Sequence, residues 1–192
     1  MATPQPPTNM VTMTNTPKTP TEPARLPTET TRVLLPAETA GTPSSPTARL
    51  NFNRYVSTLS TQGRITRLKT FTQHGRVSTY EHVVCVAHTA LTWSRALHLS
   101  VNEKELVRGA MLHDYYLYDW HTTTNNKHAI NHPVIAATNA AQDFDLSAKE
   151  RNIIEAHMWP LPPTRIPTSK EAWLVCAADK WRSLGETLFK RT

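Results

Sequence analysis

Beyond residue 50 the apolar positions recur at three- and four-residue intervals. After Ser78, the residues Val83, Val84, Ala87, Ala90 and Leu91 keep helical spacing as far as about Leu97, and Leu106, Ala110 and Leu112 keep it in the next segment. Four hydroxyl residues each stand three positions before a glutamate: Ser78–Glu81, Ser100–Glu103, Ser147–Glu150 and Thr168–Glu171. In that spacing the hydroxyl and the carboxylate satisfy backbone donors that a first helical turn leaves unpaired, so the pattern predicts at least four helix starts. Further helices are expected near 50–60, 63–71, 133–144 and 147–157. No segment alternates with period two between hairpin turns, so the predicted fold class is all-α. Two long connections interrupt the helices, a polar one over 120–131 and a Pro-rich one over 158–167. Both are candidate substrate walls.

Residues 1–49 read differently. They hold ten of the fifteen prolines, are rich in Thr, and contain few large apolar residues. Such a segment cannot bury enough apolar surface to offset its backbone entropy, and a disordered, extended tail is expected there. That leaves 50–192 as one domain, large enough for its own core. No run approaches the roughly 20 apolar residues of a membrane-spanning helix. Neither an apolar signal core nor an Arg-rich amphipathic leader is evident. Cys85 and Cys176 lie in apolar runs, where buried free thiols are common, and fit a reducing compartment. The expectation is a soluble, cytoplasmic chain.

The formal charge is +6, and 17 basic against 12 acidic residues after position 50 put most of the excess on the domain. A positive domain suits a small anionic substrate such as a phosphate ester. A nucleic-acid polymer would call for a basic stripe interleaved with aromatics, and none is visible.

All nine histidines fall between His74 and His157. Among them His113-Asp114 sets an imidazole beside a carboxylate just after an apolar helical stretch. With His82 upstream and His132, His157 and Asp179 downstream, the chain offers four nitrogen ligands and two carboxylates. A His-Asp pair at a helix end can turn both side chains to one point, and the two oxygens of Asp114 can bridge two ions. Asp179, preceded by Leu174-Val175-Cys176-Ala177-Ala178, would enter from a packed helix, where an unpartnered carboxylate is costly. A metal is one partner for it; Lys180 or Arg182 is another. Mixed nitrogen and oxygen ligation suits iron, manganese or zinc more than calcium or magnesium. A lone histidine is more often packed or exposed than a ligand. His88 and His98, on the helix of His82 without an acidic companion, are read as packing residues, while His74 and His121 stay undecided.

The order His82, His113-Asp114, Asp179 resembles the His…His-Asp…Asp pattern of the HD superfamily of metal-dependent phosphohydrolases over about residues 64–187. The likeness extends to Asn131-His132-Pro133 and to Glu155-Ala156-His157-Met158-Trp159-Pro160-Leu161, which resemble a small bacterial subgroup. The resemblance implies an HD-domain helical bundle in which His82, His113, Asp114 and Asp179 hold a first ion and Asp114 bridges to a second held by His132 and His157. His128 is then an alternate ligand or a nearby acid. Pro133 favours His132, since proline suits the first turn of a helix.

In that reading a metal-activated water attacks phosphorus, Asp114 is central to catalysis and His128 protonates the leaving oxygen. Arg76, Lys127, Lys180 and Arg182 are candidates to bind the substrate phosphate. Some HD enzymes carry a lysine shortly after the His-Asp pair. Here Leu117, Tyr118 and Asp119 follow, and no Gly-Tyr-Pro signature occurs, which argues against a cyclic-dinucleotide phosphodiesterase. The same ligand set also resembles the mixed-valence di-iron oxygenases of HD fold. A ligand-binding HD domain without turnover is the third reading, disfavoured because it has no need of six ligands.

Overall fold

The structure is a computed structural model that describes residues 46–122 and 128–189. The tail expected over 1–49 lies outside the described residues except for its last four positions, which belong to a helix. In chain order the elements are α1 (Pro46–Ser60), a 3-10 turn (Ile65–Thr70), β1 (Thr72–His74), β2 (Val77–Ser78), α2 (Thr79–Ala96), α3 (Glu103–Leu112), α4 (His128–Asp143), α5 (Ala148–Ala156) and α6 (Lys170–Phe189). The fold is helical, as the spacing predicts. None of the described helices is long and apolar enough to cross a membrane.

α2 is the central element and packs against both α3 and α6. It starts at the Ser78 box, where the Ser78 hydroxyl accepts from the Glu81 N–H and the Glu81 carboxylate accepts from the Ser78 N–H. Residues 82–87 are buried without a break, so this helix is surrounded rather than amphipathic. Its β-branched Val83, Val84 and Val86 are indifferent helix formers, so tertiary packing sustains it. α5 carries the second box, Ser147–Glu150.

The other two expected boxes are replaced. α3 is capped by Asn102, whose side-chain oxygen accepts from Lys104 and Glu105, while Glu103 makes a two-pronged pair with Arg95 at 2.7 and 2.6 Å. A charged fork displaces a neutral N–H from that carboxylate. At α6 the Ser169 hydroxyl accepts from the Ala172 N–H, and Glu171 reaches across to the Asn102 N–H at 2.8 Å and to Lys149.

The helix expected over 63–71 is a 3-10 turn. Its two buried residues, Ile65 and Leu68, stand three apart, which is the 3-10 period. A two-stranded hairpin follows, turning at Gly75 with φ +58°, and it is too short to show period-two alternation. α4 begins at His128 rather than near 133, so Pro133 sits inside the helix instead of in its first turn. Having no N–H, it leaves the Ala129 carbonyl without its usual partner. His98 lies past the end of α2, with φ +50°, and is exposed.

One close approach shapes the site. A Cβ on Gly109 would lie 2.7 Å from Ile153 Cδ1, so only glycine lets α3 settle onto α5. These two helices end at His113 and His157, and the closeness carries to their rings, whose centroids are 4.8 Å apart.

Candidate metal centre

Five elements deliver side chains to one buried point. His82 comes from the first half of α2, His113 and Asp114 from the end of α3, His132 from the second turn of α4, His157 from the end of α5, and Asp179 from the middle of α6. All six are at most 6% exposed. Asp114 falls in the turn after α3, and there the chain leaves helical geometry and both members of the His-Asp pair face inward.

The two oxygens of Asp114 divide the cluster. Oδ2 faces His82 Nε2 at 3.8 Å and His113 Nε2 at 3.4 Å, and these nitrogens lie 3.1 and 3.7 Å from Asp179 Oδ1. Oδ1 faces His132 Nε2 at 3.3 Å and His157 Nε2 at 3.5 Å, with 2.9 Å between the two nitrogens.

Hydrogen bonding fixes which ring nitrogens carry protons. The Nδ1 atoms of His113, His132 and His157 meet the carbonyls of Ala110, His128 and Ile154 at 2.6, 2.9 and 2.7 Å. His82 Nδ1 meets Glu186 Oε2 at 3.0 Å. Carbonyl and carboxylate oxygens here can only accept, so each Nδ1 holds a proton and each Nε2 of a neutral ring presents a bare lone pair. Those lone pairs converge on carboxylate oxygens, a repulsive arrangement unless a cation or extra protons stand among them. His113 Nε2 and Asp114 Oδ1 are buried without a hydrogen-bond partner among the described residues.

The donor set fits transition-metal ions. Ligands about 2.0–2.2 Å from a common ion are about 3.0 Å apart in cis octahedral and about 3.4 Å apart in tetrahedral geometry. The triangle of Asp114 Oδ1, His132 Nε2 and His157 Nε2 has edges of 2.9, 3.3 and 3.5 Å. Donor atoms of His82, His113 and Asp179 also lie within ligand-to-ligand reach of one another, as do those of His113, Asp114 and His157. The four Nδ1 bonds orient the rings from behind, as metal-binding imidazoles require.

Electrostatics follows the same division. Burial opposes charge on His82, but the hydrogen bonds to Asp179 and Glu186 outweigh it and push the ring up to about 9. Burial likewise opposes charge on His113, and the Asp114 and Asp179 carboxylates raise it to about 10. His157 is pushed down to about 3 by burial and by the neighbouring His113 and His132. Burial also resists charge on both aspartates, yet the histidines around them hold Asp114 and Asp179 well below the usual carboxylate range.

A pH dependence of the chelated protein follows. His82 and His113 sit above the unfolded value of about 6.5, so the stability they bring is complete below that pH and is lost as pH rises through 9 to 10. His157 sits below that value, so the unfolded chain binds a proton the folded chain refuses, and stability falls as pH drops from about 6.5 toward 3. Melting scans in chelator should therefore peak near pH 6.5. A melting point that climbs steadily to pH 9 would contradict the assignment of the raised pair.

Three supporting side chains lie outside the His and Asp pattern that marks the ligands. Gln73 Nε2 donates to Asp114 Oδ2 at 2.7 Å, while its Oε1 accepts from the Tyr116 and Thr79 hydroxyls. The two hydroxyls fix which end of the amide faces Asp114, and the amide then fixes the carboxylate's rotation. Gln73→Leu should weaken metal binding about 10- to 100-fold, the usual effect of removing a group that orients a ligand. Equilibrium dialysis with cobalt, read by its visible spectrum, measures this, and an unchanged affinity would make Gln73 a packing residue. Glu186 is the second such group. The third is Tyr118, whose hydroxyl lies 2.7 Å from His128 Nδ1.

The remaining candidates scatter. The His128 ring stacks on His132 and on Trp120, at centroid distances of 4.6 and 5.1 Å, and burial together with His132 pushes it down to about 4. His74 lies nearby, 6.4 Å from Trp120 and 6.1 Å from His82 between centroids. His121 is exposed and engages Asp119. His88 packs edge-on against Phe52. Lys180 donates to the His157 carbonyl at 2.9 Å and to Cys176 Sγ at 3.3 Å, so it pairs with neither aspartate. Arg182 has a buried Nε without a partner among the described residues. Arg76 is exposed at the hairpin that carries Gln73. Lys127 lies outside the described residues.

No curated protein and no solved structure matches the chain. The profile of the HD domain family matches residues 79–182, which is more than half of the sequence and contains all six converging side chains. The chain belongs to the HD domain family.

Proposed function

We propose that the chain is a metal-dependent phosphohydrolase that cleaves a small phosphate ester or nucleotide at a dinuclear centre of iron, manganese or zinc. The observation that carries this reading is the division of Asp114. One oxygen faces His82 and His113 beside Asp179, the other faces His132 and His157, and the nitrogen lone pairs all point inward. His82, His113, Asp179 and Asp114 would hold one ion, and Asp114, His132 and His157 the other. Bound ions would lower the pKa of a coordinated water and neutralise charge on the phosphoryl oxygens.

The chain's own residues do the rest. Gln73 keeps the Asp114 carboxylate in the orientation that serves both sides. With its pKa pushed down to about 4, His128 is neutral at physiological pH, and a Tyr118 hydroxyl donating to Nδ1 leaves the ring N–H on Nε2, which would orient the leaving oxygen by a hydrogen bond rather than protonate it. Lys180 holds the carbonyl of His157 and so steadies the end of α5. Arg76, Lys127 and Arg182 are the candidate phosphate partners.

The oxygenase reading keeps one observation in its favour. The described rings beside the ligands, Trp120, His128 and His74, are aromatic, and Lys180 has its ammonium engaged elsewhere. One experiment separates the readings. Protein purified without chelator is analysed for metal, then assayed for phosphate release from p-nitrophenyl phosphate and nucleotides under argon, and for oxygen uptake after loading with iron. Phosphate release without oxygen supports the hydrolase. Oxygen uptake with no anaerobic phosphate release overturns it, and neither activity favours a binding domain.

A further inference from the structure

Three of the four converging imidazoles are backed by neutral groups of their own helices. The Nδ1 atoms of His113, His132 and His157 donate to carbonyls three or four residues earlier, at Ala110, His128 and Ile154. His82 is the exception. Its Nδ1 donates at 3.0 Å to Glu186 Oε2, a carboxylate 104 residues away on another helix, and its Nε2 lies 3.1 Å from Asp179 Oδ1. Asp179 and Glu186 stand two turns apart on one face of α6, so a single helix sets a carboxylate at each ring nitrogen of His82. Glu186 lies beyond residue 182, where the match to the HD domain family ends.

Glu186 is 8% exposed, and among the described residues no lysine or arginine pairs with it. A carboxylate so placed is costly unless a donor or cation compensates it, and what it meets is the His82 N–H. Docking the end of α6 calls for no charge, because an apolar side chain would serve that contact without the desolvation cost. Behind a metal-binding imidazole, by contrast, a carboxylate fixes the ring's direction and raises the basicity of the far nitrogen.

The rest of α6 divides the same way. The Ser183 hydroxyl donates to Asp179 Oδ1 at 3.3 Å and orients that carboxylate, while Lys180 sets an ammonium on the His157 carbonyl at 2.9 Å. The helix thus brings two negative groups to the side of His82 and His113, and a positive one to the side of His157. Asp114 is the acid that His132 and His157 face.

We propose that Glu186 is a positioning residue that makes the two halves of the centre unequal, so that the ion of His82, His113, Asp179 and Asp114 is resident and that of His132 and His157 is exchangeable. The proposal rests on the two-ion reading above and adds to it an order of loading. On the first side four donor groups include two carboxylates, with a third behind. On the second, two imidazoles share one carboxylate, with an ammonium at the back. A cation is held more tightly in the more negative field. Occupancy of the second half then follows the free metal concentration.

The test is equilibrium dialysis of the full chain with divalent cobalt, read by visible absorption and elemental analysis. The wild type should bind two equivalents with affinities at least tenfold apart, and His157→Ala should keep the tighter one at wild-type affinity. Glu186→Gln retains an oxygen to accept from Nδ1 but carries no charge. It should weaken the tighter ion about 10- to 100-fold and leave the weaker one unchanged, with an unchanged far-ultraviolet circular dichroism spectrum. A tighter ion at wild-type affinity in Glu186→Gln overturns the proposal, even if the variant melts lower. So do two equal affinities in the wild type, or a loss confined to the weaker ion. A wild type with a single equivalent that Glu186→Gln loosens supports the role of Glu186 and overturns the dinuclear reading instead. Absence of phosphate release bears on the hydrolase reading alone, since the readout here is binding.

Discussion

Asp114→Asn should remove one metal equivalent and lower turnover at least about 10^3-fold, the scale of losing one preorganised electrostatic group at a reacting centre, with the fold retained. The amide has the shape of the carboxylate but only one oxygen, and the surroundings decide which way it turns. Gln73 presents its N–H to Oδ2, because its own oxygen is held by the Tyr116 and Thr79 hydroxyls. The oxygen of the new amide therefore takes the Oδ2 place, and its NH2 takes the Oδ1 place, facing the His132 and His157 lone pairs at about the present 3.3 and 3.5 Å. It can donate to either. The substitution thus fills the second site with a hydrogen-bond donor and closes it to a cation, while His82, His113 and Asp179 keep their geometry. Elemental analysis, phosphate release and circular dichroism on the same preparation measure the three parts. Two equivalents of metal with full turnover would mean that Asp114 bridges nothing.

Much of this centre is legible in the residue order, for physical reasons. A His-Asp pair is informative only at a helix end, and the apolar run before His113 marks that end, so the turn that lets both side chains converge is foreseeable. The helix of Asp179 is equally legible from its apolar approach. The same logic extends to Glu186, which stands seven residues after Asp179 and so on the same helical face. Glutamates are usually solvated, which is why this one escapes notice in the sequence.

Gln73 is out of reach of such reasoning. It lies in a strand of three residues, and its role depends on two hydroxyls, one of them on the far side of α2 in sequence. Cap positions mislead for a related reason. The Ser100 and Thr168 spacings are those of capping boxes, but Glu103 and Glu171 have better partners in Arg95 and in the Asn102 N–H with Lys149, and these lie 8 to 69 residues away. Local spacing predicts that a helix starts nearby. Which side chain closes its first turn is settled by competition across the fold.

The pair His132 and His157 would hold the proposed second ion and yields the sharper substitution. His157→Ala should remove about one metal equivalent, leave His82, His113, Asp114 and Asp179 as they are, and lower turnover sharply. The fold should survive with a loss of about 2–4 kcal/mol, as for other buried side chains cut back to alanine. Three features limit that loss. Among the described residues His157 makes only one hydrogen bond through its ring besides the Nε2 contact with His132, and in the metal-free protein its ring is held neutral by burial and two neighbouring imidazoles. The helix end itself stays tied, because Lys180 grips the backbone carbonyl of residue 157 rather than its side chain. With the ring gone, the site opposite Oδ1 keeps His132 and one carboxylate oxygen, too few donors to hold a transition-metal ion firmly. Metal content measured beside phosphate release distinguishes the possibilities. Full metal and full turnover in His157→Ala would make the site mononuclear at most, remove the basis for the oxygenase reading, and return both histidines to packing.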